Sequence, residues 1–589
     1  MWPFSSYPAV SAEELGKSNK SFDYIIVGGG TAGCCLAARL SEDPSVTVLV
    51  IDRGIVGDDW VSKVPLISAN FYRSGAPAAE WPTQPMQHAN GRVVHAVLGE
   101  GLGGGSRINS CLYTRGTGDY NLWRDMGHPS WSYEHVEPYF VKSEKTLSQP
   151  SSKFRGTSGP WVNQTFPEPA FDCLTQVVQA TKHIGIPTVS DLNSPTSPVV
   201  CCSVMDVAID ASMHRMSTFQ AFLSEKVAAA RKPNLTVCAE TIVTRIRFSG
   251  PADAISALGV YYEATKLTRT ARNYYVKANR EIILCAGAIA SPQLLMLSGV
   301  GPRSHLQEHS INIVRDMPGV GSTLKDHASL PVMYQVPLDD SLHVLKNKPI
   351  RAISELLRYL ITGKGLFSVP FMQWSIFVQS SLLNAHSEIV ASDPSTLDPT
   401  QPGNTPDIEI MPVPHRCTEG EKGDWDDIGV FSLLTCLVKP KSVGTVRLAY
   451  TDPRERALID LGYLSNNDDI LVLRKAARLA LRLAKQMRSQ GYPLQDLQVP
   501  ASDSDVDVDE YIRNNIRTSY HYSSTCRMAA ENDKRPGVVD DDLKVHGIKG
   551  LRICDTSIFP EIVSTHTMAP VVMVAEKCAD LIKTTWRDL

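Results

Sequence analysis

The sequence predicts an α/β protein that is large enough for two domains, and three observations support this prediction. Residues 24–27 form a short apolar run that is followed by closely spaced glycines and a helical pattern, and a second apolar run ends at Asp52. A comparable order of strand, turn and helix returns between residues 280 and 306, where the helix is predicted to be capped near Ser291 and Pro292. Short apolar runs that alternate with helical patterns are typical of a parallel sheet. At 589 residues the chain exceeds one ordinary core, so two large domains, or one domain with insertions, are expected.

The glycines after the first predicted strand have the spacing of a dinucleotide-binding turn. Gly28, Gly30 and Gly33 follow the pattern G-x-G-x-x-G. Gly28 permits the tight turn, Gly30 lets the backbone approach a pyrophosphate, and Gly33 lets the helix pack closely on the strand. Asp52 comes 19 residues after Gly33 and can accept hydrogen bonds from both ribose hydroxyls, whereas it would repel a 2′-phosphate. The pattern predicts a Rossmann-type dinucleotide site and leaves NAD and FAD both open.

Composition and charge argue against several other classes of protein. A formal net charge of -4 gives no electrostatic basis for binding nucleic acid, and no apolar run approaches the roughly 18 residues of a membrane span. The first twenty residues lack the basic start and apolar core of a secretory signal, so an intracellular location is expected. The 13 cysteines include no CxxC motif, which predicts buried reduced thiols and no metal site.

Five further segments occur in a characteristic order along the chain. They are residues 97–123, 280–306, 318–327, 442–464 and 538–582. In this order they resemble the signature regions of the glucose-methanol-choline (GMC) flavoprotein oxidoreductases, and the resemblance runs from about residue 22 to residue 582. It implies a Rossmann-type FAD-binding domain made of residues 20–165, 235–330 and 535–589. A discontinuous α+β substrate-binding domain would comprise residues 166–234 and 331–534.

The resemblance also implies which residues contact FAD. Thr31 and Ala32 would lie by the pyrophosphate, and Val243 would meet the adenine through its backbone. Some relatives attach FAD covalently through a histidine at the position of Ile108, so non-covalent FAD is predicted here. The family often has Arg-Gly-Lys before its glycine cluster, where this chain has an acid, Glu100. The full implied set is Gly28, Gly30, Thr31, Ala32, Gly33, Asp52, Arg53, Gly104, Ser106, Asn109, Ser110, Cys111, Leu112, Val243, Asp555, Thr556, Thr567 and Met568.

Two histidines match the family's catalytic positions. The family motif His-Pro-x-Gly-Thr appears here as "HYSST", which keeps His521 but replaces proline and glycine by tyrosine and serine. The partner position is His566 in "STHTMAP". A neutral imidazole is well matched to accept a proton near neutral pH, so His521 is assigned as the base and His566 as its hydrogen-bonding partner, with the reverse assignment open. Tyr520 and Tyr522 are candidate walls of the substrate pocket.

Two other histidines receive structural interpretations from the sequence. His327 follows the segment "PGVGSTLKD" and is expected to be structural near the cofactor, and His546 in "VHG" is expected to be structural as well. An amphipathic helix is predicted at residues 352–367, either over the substrate pocket, at a subunit contact or simply packed on the core. A mobile loop over the active-site entrance is predicted at residues 384–406.

The predicted function is FAD-dependent oxidation of an alcohol by hydride transfer to flavin N5, with an aromatic or apolar substrate. Oxygen or another acceptor would reoxidise the flavin, and the oligomeric state stays open. A redox-neutral lyase or cyclase that uses structural FAD and the same histidines is the alternative. A purely binding or structural protein would leave both histidines unexplained.

Overall fold

The computed structural model describes residues 7–57, 59–251, 253–266, 272–390, 397–418 and 427–587. Two large sheets, each with its own apolar core, organise these residues. Ile25, Val50 and Ile283 belong to the first core, and Tyr334 and Leu479 belong to the second. The mixture of sheets and helices, with its parallel strands, confirms the predicted α/β class.

The nine-stranded sheet contains the predicted Rossmann-type strands. Phe22–Val27 and Val48–Ile51 pair in parallel, with Tyr24 beside Val48. Almost all of their side chains are buried, because a parallel sheet is covered on both faces. The order across the sheet is Ala9–Val10, Leu235–Cys238, Val48–Ile51, Phe22–Val27, Tyr274–Leu284, Ile255–Ala264 and Thr241–Ser249, with Leu551–Ile553 beside Tyr274–Leu284 and Ile548–Lys549 beside Ile255–Ala264.

The eight-stranded sheet is mostly antiparallel. Its long central pair is Ala328–Val336 and Gly429–Leu437, and the helix Asn467–Ser489 packs against it. The order is Gln495–Gln498, Ala328–Val336, Gly429–Leu437, Ile408–Val413, Trp374–Val378, Cys201–Val204 and Thr188–Val189, with Arg517–Thr518 also beside Ala328–Val336. The two sheets thus draw on segments that alternate along the chain, whereas the exact domain boundaries given above stay a prediction.

Smaller elements complete the described part of the fold. A four-stranded sheet contains Leu112–Tyr113, Asp206–Val207, Trp161–Thr165 and Glu144–Thr146. Two-stranded sheets join Val300–Gly301 to Arg315–Asp316, Thr445–Arg447 to Leu458–Asp460 and Ala78–Pro82 to His95–Gly99. The α-helices are Ala12–Lys17, Thr31–Leu40, Pro65–Ser68, Gly118–Asp125, Tyr133–Ser143, Asp172–His183, Thr218–Phe222, Glu225–Ala230, Gly287–Leu297, Arg303–Glu308, Val344–Asn347, Pro349–Thr362, Asn467–Ser489, Asp505–Asn515 and Met568–Arg587.

The helix Gly287–Leu297 differs from the sequence prediction. A helix capped near Ser291 and Pro292 is wrong, because the helix begins at Gly287 and contains both residues. Pro292 cannot donate to the carbonyl four residues earlier, which belongs to Ala288. The Thr525 hydroxyl donates to that carbonyl oxygen at 2.6 Å. A side chain from the "HYSST" segment therefore replaces the backbone hydrogen bond that proline removes.

Four parallel strands bring their carboxyl ends to one edge of the nine-stranded sheet. Gly28 follows the first of them, Asp52 the second, Cys285 the third and Cys554 the fourth. In open α/β sheets, ligands bind at this edge, where the backbone leaves each strand for a helix or loop. The topology thus assembles one site from four distant parts of the sequence.

Three structural findings relate to the expectations drawn from composition. All 13 cysteines lie in the described ranges, where they are buried and form no disulfide. Among the described helices, none has both the length and the apolar run that crossing a bilayer requires. In the same ranges, no three His, Cys, Asp or Glu side chains are grouped as metal ligands would be.

Candidate active site

A cavity of about 910 Å³ lies between the two sheets and reaches the carboxyl edge described above. Most of the predicted site residues line it, from both domains. They are Gly28, Gly30, Thr31, Ala32, Asp52, Arg53, Gly104, Ser106, Asn109, Ser110, Leu112, Val243, Tyr520, His521, Tyr522, Asp555, Thr556, His566, Thr567 and Met568. Ile108, at the position that is a covalent histidine in some relatives, lines the cavity too. A predicted cofactor site and a predicted catalytic pair therefore share one continuous space.

The glycine turn has the geometry that a dinucleotide requires. Gly28 has φ +101°, a conformation that residues with a Cβ rarely adopt. A Cβ on Gly33 would lie 2.0 Å from the Gly28 carbonyl oxygen, so Gly33 serves close packing and does not line the cavity. The Thr31 hydroxyl accepts from the Ser106 backbone N–H at 3.3 Å, which ties the start of the helix Thr31–Leu40 to the second glycine cluster.

Asp52 organises the loops around this turn. Its carboxylate accepts from the backbone N–H groups of Gly29 at 2.7 Å and Gly54 at 2.8 Å. Burial raises the pKa of Asp52, and these two amides offset part of that effect. Beside it, Arg53 forms an ion pair with Glu100 at 2.8 Å. Glu100, which stands where the family often has basic residues, therefore has a cationic partner within this chain.

The segment around Asn109 is held by a residue that the sequence did not single out. The buried guanidinium of Arg215 donates to the Asn109 side-chain oxygen at 2.8 Å and to the Ser106 carbonyl at 3.1 Å. The amide of Asn109 also lies 2.9 Å from the Met568 sulfur. Cys111 does not line the cavity, so its predicted FAD contact is not supported; its left-handed backbone (φ +63°) turns its buried side chain into the core.

Asp555 fixes the opposite wall of the cavity. Its carboxylate accepts from the Ser291 hydroxyl at 2.6 Å and from the backbone N–H groups of Gly287 at 2.9 Å and Ser557 at 2.8 Å. Burial raises the pKa of Asp555, and these donors oppose the rise. The fourth strand is thereby joined to the helix Gly287–Leu297. Open backbone at Gly30, the left-handed Gly104 (φ +49°) and these anchored acids together fit FAD.

Three histidines and a glutamate form one hydrogen-bonded chain in the cavity wall. His327 Nε2 lies 3.0 Å from the Val563 carbonyl oxygen, and His327 Nδ1 lies 2.9 Å from His521 Nδ1. His521 Nε2 lies 3.2 Å from His566 Nδ1, and His566 Nε2 lies 3.0 Å from Glu409 Oε1. The rings of His521 and His566 meet edge to face at 90°. The pairing of His521 with His566 thus appears as the sequence predicted, with two further members.

The groups at the two ends of this series of hydrogen bonds determine which ring nitrogens carry protons. A carbonyl oxygen only accepts, so His327 Nε2 carries the proton and the neutral ring presents a bare Nδ1. His521 must then donate from Nδ1, which leaves its Nε2 lone pair unprotonated and next to His566. At the other end, His566 Nε2 donates to the Glu409 carboxylate. The hydrogen bonds therefore leave Nε2 of His521 as an acceptor. It faces Nδ1 of His566 at 3.2 Å, and a proton taken up by the site completes the hydrogen bond between these two nitrogens.

Burial and neighbouring charge keep the first two rings neutral. Removal from bulk water, together with the nearby His566, lowers the pKa of His327 to about 4. The same removal, followed by the imidazoles of His566 and His327, lowers the pKa of His521 well below its usual value. Burial alone would raise the pKa of Glu409, but His566 and Ser375 around its carboxylate bring it below the usual range. An ionised Glu409 thus faces neutral His521 across His566.

Glu409 and Asp326 are residues that the sequence reading missed. Glu409 lies in the apolar strand Ile408–Val413, where the one acid inside a buried strand was the available signal. Asp326, the last residue of the segment "PGVGSTLKD", accepts from the His521 backbone N–H at 2.7 Å. Burial raises the pKa of Asp326 to about 7. His327, which was expected to be structural, contacts His521 directly. His546 instead lies 2.8 Å from the Ala529 carbonyl oxygen, and neither residue lines the cavity.

The remaining predicted pocket features divide into two groups. Tyr520 and Tyr522 line the cavity, and Tyr520 meets Phe71 edge to face at 5.3 Å. The predicted loop at residues 384–406 includes residues 391–396, which lie outside the described residues. Its described part does not line the cavity; Thr400, for example, accepts from the Asn121 side chain at 2.8 Å. A position over the active-site entrance is therefore not supported for that part.

Comparison with known proteins places this site in a family. The N-terminal model of the GMC oxidoreductases matches residues 22–329, and the C-terminal model matches residues 440–575. The chain is a GMC oxidoreductase. The N-terminal match alone spans more than half of the sequence, and it contains the glycine turn, Asp52 and the Asn109 segment.

The relatives of this GMC oxidoreductase include dehydrogenases and oxidases. It is 33% identical to Dehydrogenase str4 of Strobilurus tenacellus, over 96% of this chain and 94% of that protein. It is 31% identical to oxygen-dependent choline dehydrogenase 1 of Chromohalobacter salexigens, over 96% and 95% of the two chains. A formate oxidase variant from Aspergillus oryzae RIB40, studied for FAD modification, superposes with a TM-score of 0.82 at 27% identity, over 96% and 99%. This GMC oxidoreductase is therefore an FAD-binding flavoprotein.

Proposed function

We propose that this GMC oxidoreductase oxidises an alcohol to an aldehyde or ketone, with His521 as the general base. The observation that carries the proposal is the unprotonated Nε2 of His521, which lies in the same cavity as the FAD-binding residues. Bound FAD would supply the acceptor for the hydride that leaves the substrate carbon. The chain's own residues bind and orient the alcohol and move its proton.

His521 can accept the proton of the substrate hydroxyl. Its Nε2 is the acceptor, while its Nδ1 proton is donated to His327. A positioned base of this kind contributes roughly 10²–10⁴-fold to the rate. Because the Nε2 proton of His566 is donated to Glu409, His566 presents Nδ1 beside His521 Nε2, where the two nitrogens can share the accepted proton. The negative Glu409 favours the positive charge that this proton brings.

The lining around the histidines favours an apolar or aromatic alcohol. Five apolar or aromatic side chains line the cavity, two of them in strands of the eight-stranded sheet. They are Phe71, Phe371, Met372, Met411 and Leu434. Aromatic rings and methionine contact a flat apolar group favourably. Resemblance to a choline dehydrogenase supports an alcohol substrate, whereas the apolar or aromatic character of the substrate rests on the cavity lining alone. Non-covalent attachment of FAD is consistent with Ile108 in place of a linking histidine.

Anaerobic reduction tests the proposal directly. The purified yellow protein is mixed without oxygen with benzyl alcohol, a medium-chain aliphatic alcohol, choline and formate, and the flavin band is followed by stopped flow. Bleaching is expected with an apolar or aromatic alcohol, and reoxidation on admitting air identifies an oxidase. A band unchanged by every alcohol, with turnover of a substrate that gains or loses no electrons, would replace this proposal by the lyase or cyclase alternative.

A further inference from the structure

One helix of the substrate-side domain presents its apolar face to solvent. On Pro349–Thr362 the exposed fractions are 84% for Ile350, 59% for Ile353, 51% for Leu357 and 80% for Ile361. Their spacing of three, four and four residues places them on one side of the helix. The apolar stripe of a surface helix ordinarily faces the core, whereas the stripe of this helix faces solvent.

The surroundings of this helix are basic. Residues 344–366 contain one acid, Glu355, and five cations, which gives a formal charge of +4 for this segment in a chain of net charge -4. The cations are Lys346, Lys348, Arg351, Arg358 and Lys364, of which Lys348 and Arg351 pair with the exposed Asp339 before this segment at 2.7 and 2.8 Å. Arg351 and Arg358 are seven residues apart and lie on the same flank of the apolar face. An exposed apolar face edged by cations is typical of helices that lie in a membrane interface.

The helix adjoins the active-site cavity on two sides. Residues Leu345 and Lys346, directly before it, line the cavity. Directly after it, the turn Leu366–Ser368 packs on the short helix Pro65–Ser68, which also contributes lining residues. Tyr359, the buried side chain of the helix, donates to the Met213 carbonyl at 3.0 Å and fixes the helix to the body of the protein. The exposed face is therefore held rigidly next to the cavity.

We propose that the helix Pro349–Thr362 docks on an anionic lipid bilayer, with its apolar face in the boundary between headgroups and acyl chains. The protein would lie on the bilayer without crossing it. The cavity-lining residues next to the helix, Leu345 and Lys346, would then lie close to the membrane surface. The docking itself is independent of the reaction. Delivery of an apolar alcohol from the bilayer to the cavity is a consequence that rests on the proposed function.

Size and charge favour a bilayer over a second copy of this chain. Fourteen helical residues present a face of roughly 21 by 10 Å, which is far below the roughly 800 Å² per partner of a stable protein interface. Two copies joined through this helix would also bring two segments of charge +4 together. An anionic lipid surface is complementary to that charge, and each nearby cation adds to the attraction.

Flotation of the holoprotein with lipid vesicles tests the docking. Vesicles of phosphatidylcholine and phosphatidylserine are expected to bind the protein, and phosphatidylcholine alone to bind it much more weakly, with the difference lost at high salt. Replacing two apolar residues together, Ile353→Gln with Leu357→Gln, should weaken binding by on the order of tenfold or more. Leu471→Gln, at a residue 50% exposed on another helix, is the matched control and should bind as the wild type does.

Charge reversal provides an independent arm. Arg358→Glu with Lys364→Glu should weaken binding to the mixed vesicles by roughly fivefold or more for each residue. The exposed Lys226→Glu is its control and should have little effect. All of these residues lie outside the active site, so turnover of a water-soluble alcohol should persist in every variant and show that the fold is intact.

Three results would overturn the docking proposal. They are failure to float with either kind of vesicle, unchanged binding by the apolar double variant, and equal binding to neutral and anionic vesicles. A concentration-dependent dimer in sedimentation that the apolar double variant abolishes would assign the face to a second copy of this chain. Loss of flotation with full turnover of a soluble alcohol would separate this proposal from the proposed reaction.

Discussion

His521 and His566 meet edge to face, with Nε2 of the first 3.2 Å from Nδ1 of the second, although 45 residues separate them in the chain. The two rings are positioned by different parts of the fold. His521 follows the strand Arg517–Thr518 of the eight-stranded sheet, and His566 precedes the helix Met568–Arg587, which packs on the helix Thr31–Leu40 of the dinucleotide turn. The contact therefore exists only when both parts are assembled around the cavity.

Removal of the base should abolish most activity without removing the cofactor. His521→Ala deletes the Nε2 acceptor, so the rate of flavin reduction by alcohol should fall roughly 10²–10⁴-fold. The visible flavin spectrum of the purified variant should be retained, because the residues proposed to hold FAD, in the glycine turn and the Asn109 segment, are unchanged. His546→Ala is the matched control, since His546 contacts the Ala529 carbonyl outside the cavity. A variant that loses FAD would instead show that His521 is structural.

Glu409 should affect the reaction rate through its hydrogen bond with His566. Glu409→Gln keeps the size of the side chain and an acceptor oxygen but removes the negative charge opposite His566 Nε2. Because hydrogen bonds to charged groups contribute about 1.5–3 kcal/mol, kcat/KM should fall on the order of tenfold or more. Ser375→Ala removes the hydroxyl that donates to the same carboxylate at 2.7 Å and should cost less. Equal kinetics in Glu409→Gln and the wild type would exclude this role.

The pH dependence of the reaction should follow the depressed pKa of His521. A base works when unprotonated, so activity is present above its pKa and is lost as the pH falls through it. Since burial and the two neighbouring imidazoles lower that pKa well below its usual value, the acid limb of kcat/KM should lie below pH 6.5. A profile of kcat/KM measured across the acid range checks this. An acid limb at or above 6.5 would contradict the environment described for His521.

The departure from the family motif at Ser524 should cost stability. Ser524 stands where the family has glycine, and it keeps a left-handed backbone with φ +67°. This conformation costs a residue with a Cβ roughly 1–2 kcal/mol, partly offset by the greater flexibility of glycine in the unfolded chain. Ser524→Gly should therefore raise the melting temperature of the holoprotein, in line with a gain of up to about 1 kcal/mol.

The neighbouring serine controls for a general effect of glycine. Ser523 is buried and has no left-handed backbone, so Ser523→Gly should lower the melting temperature. Calorimetry of both variants with FAD bound gives the comparison. A lower melting temperature for Ser524→Gly would mean that its side-chain contacts, such as the one to the Ser523 hydroxyl at 3.3 Å, outweigh the backbone strain.

Local patterns in the sequence determined the Rossmann-type sheet, the glycine turn and the resemblance that pairs His521 with His566. These features were accessible because each is encoded within a few neighbouring residues: an apolar strand, a glycine spacing, an acid at the end of a strand. The wrong detail, a helix cap near Ser291 and Pro292, follows from the local signal of proline, whereas the helix begins at Gly287. Thr525, which is distant in the sequence, supplies the hydrogen bond that Pro292 removes, and no local pattern records that partner.

Only the tertiary structure decided the proton assignment of the site. Asp326 and His327 directly precede the strand Ala328–Val336, and Glu409 lies in the strand Ile408–Val413. No spacing in the sequence relates these residues to His521 and His566, although they form hydrogen bonds with them. The exposed face of Pro349–Thr362 was likewise undecided, because an amphipathic pattern is the same whether its apolar side meets the core or the solvent. Long-range packing settles both questions, since it alone fixes which groups lose water and which groups they meet.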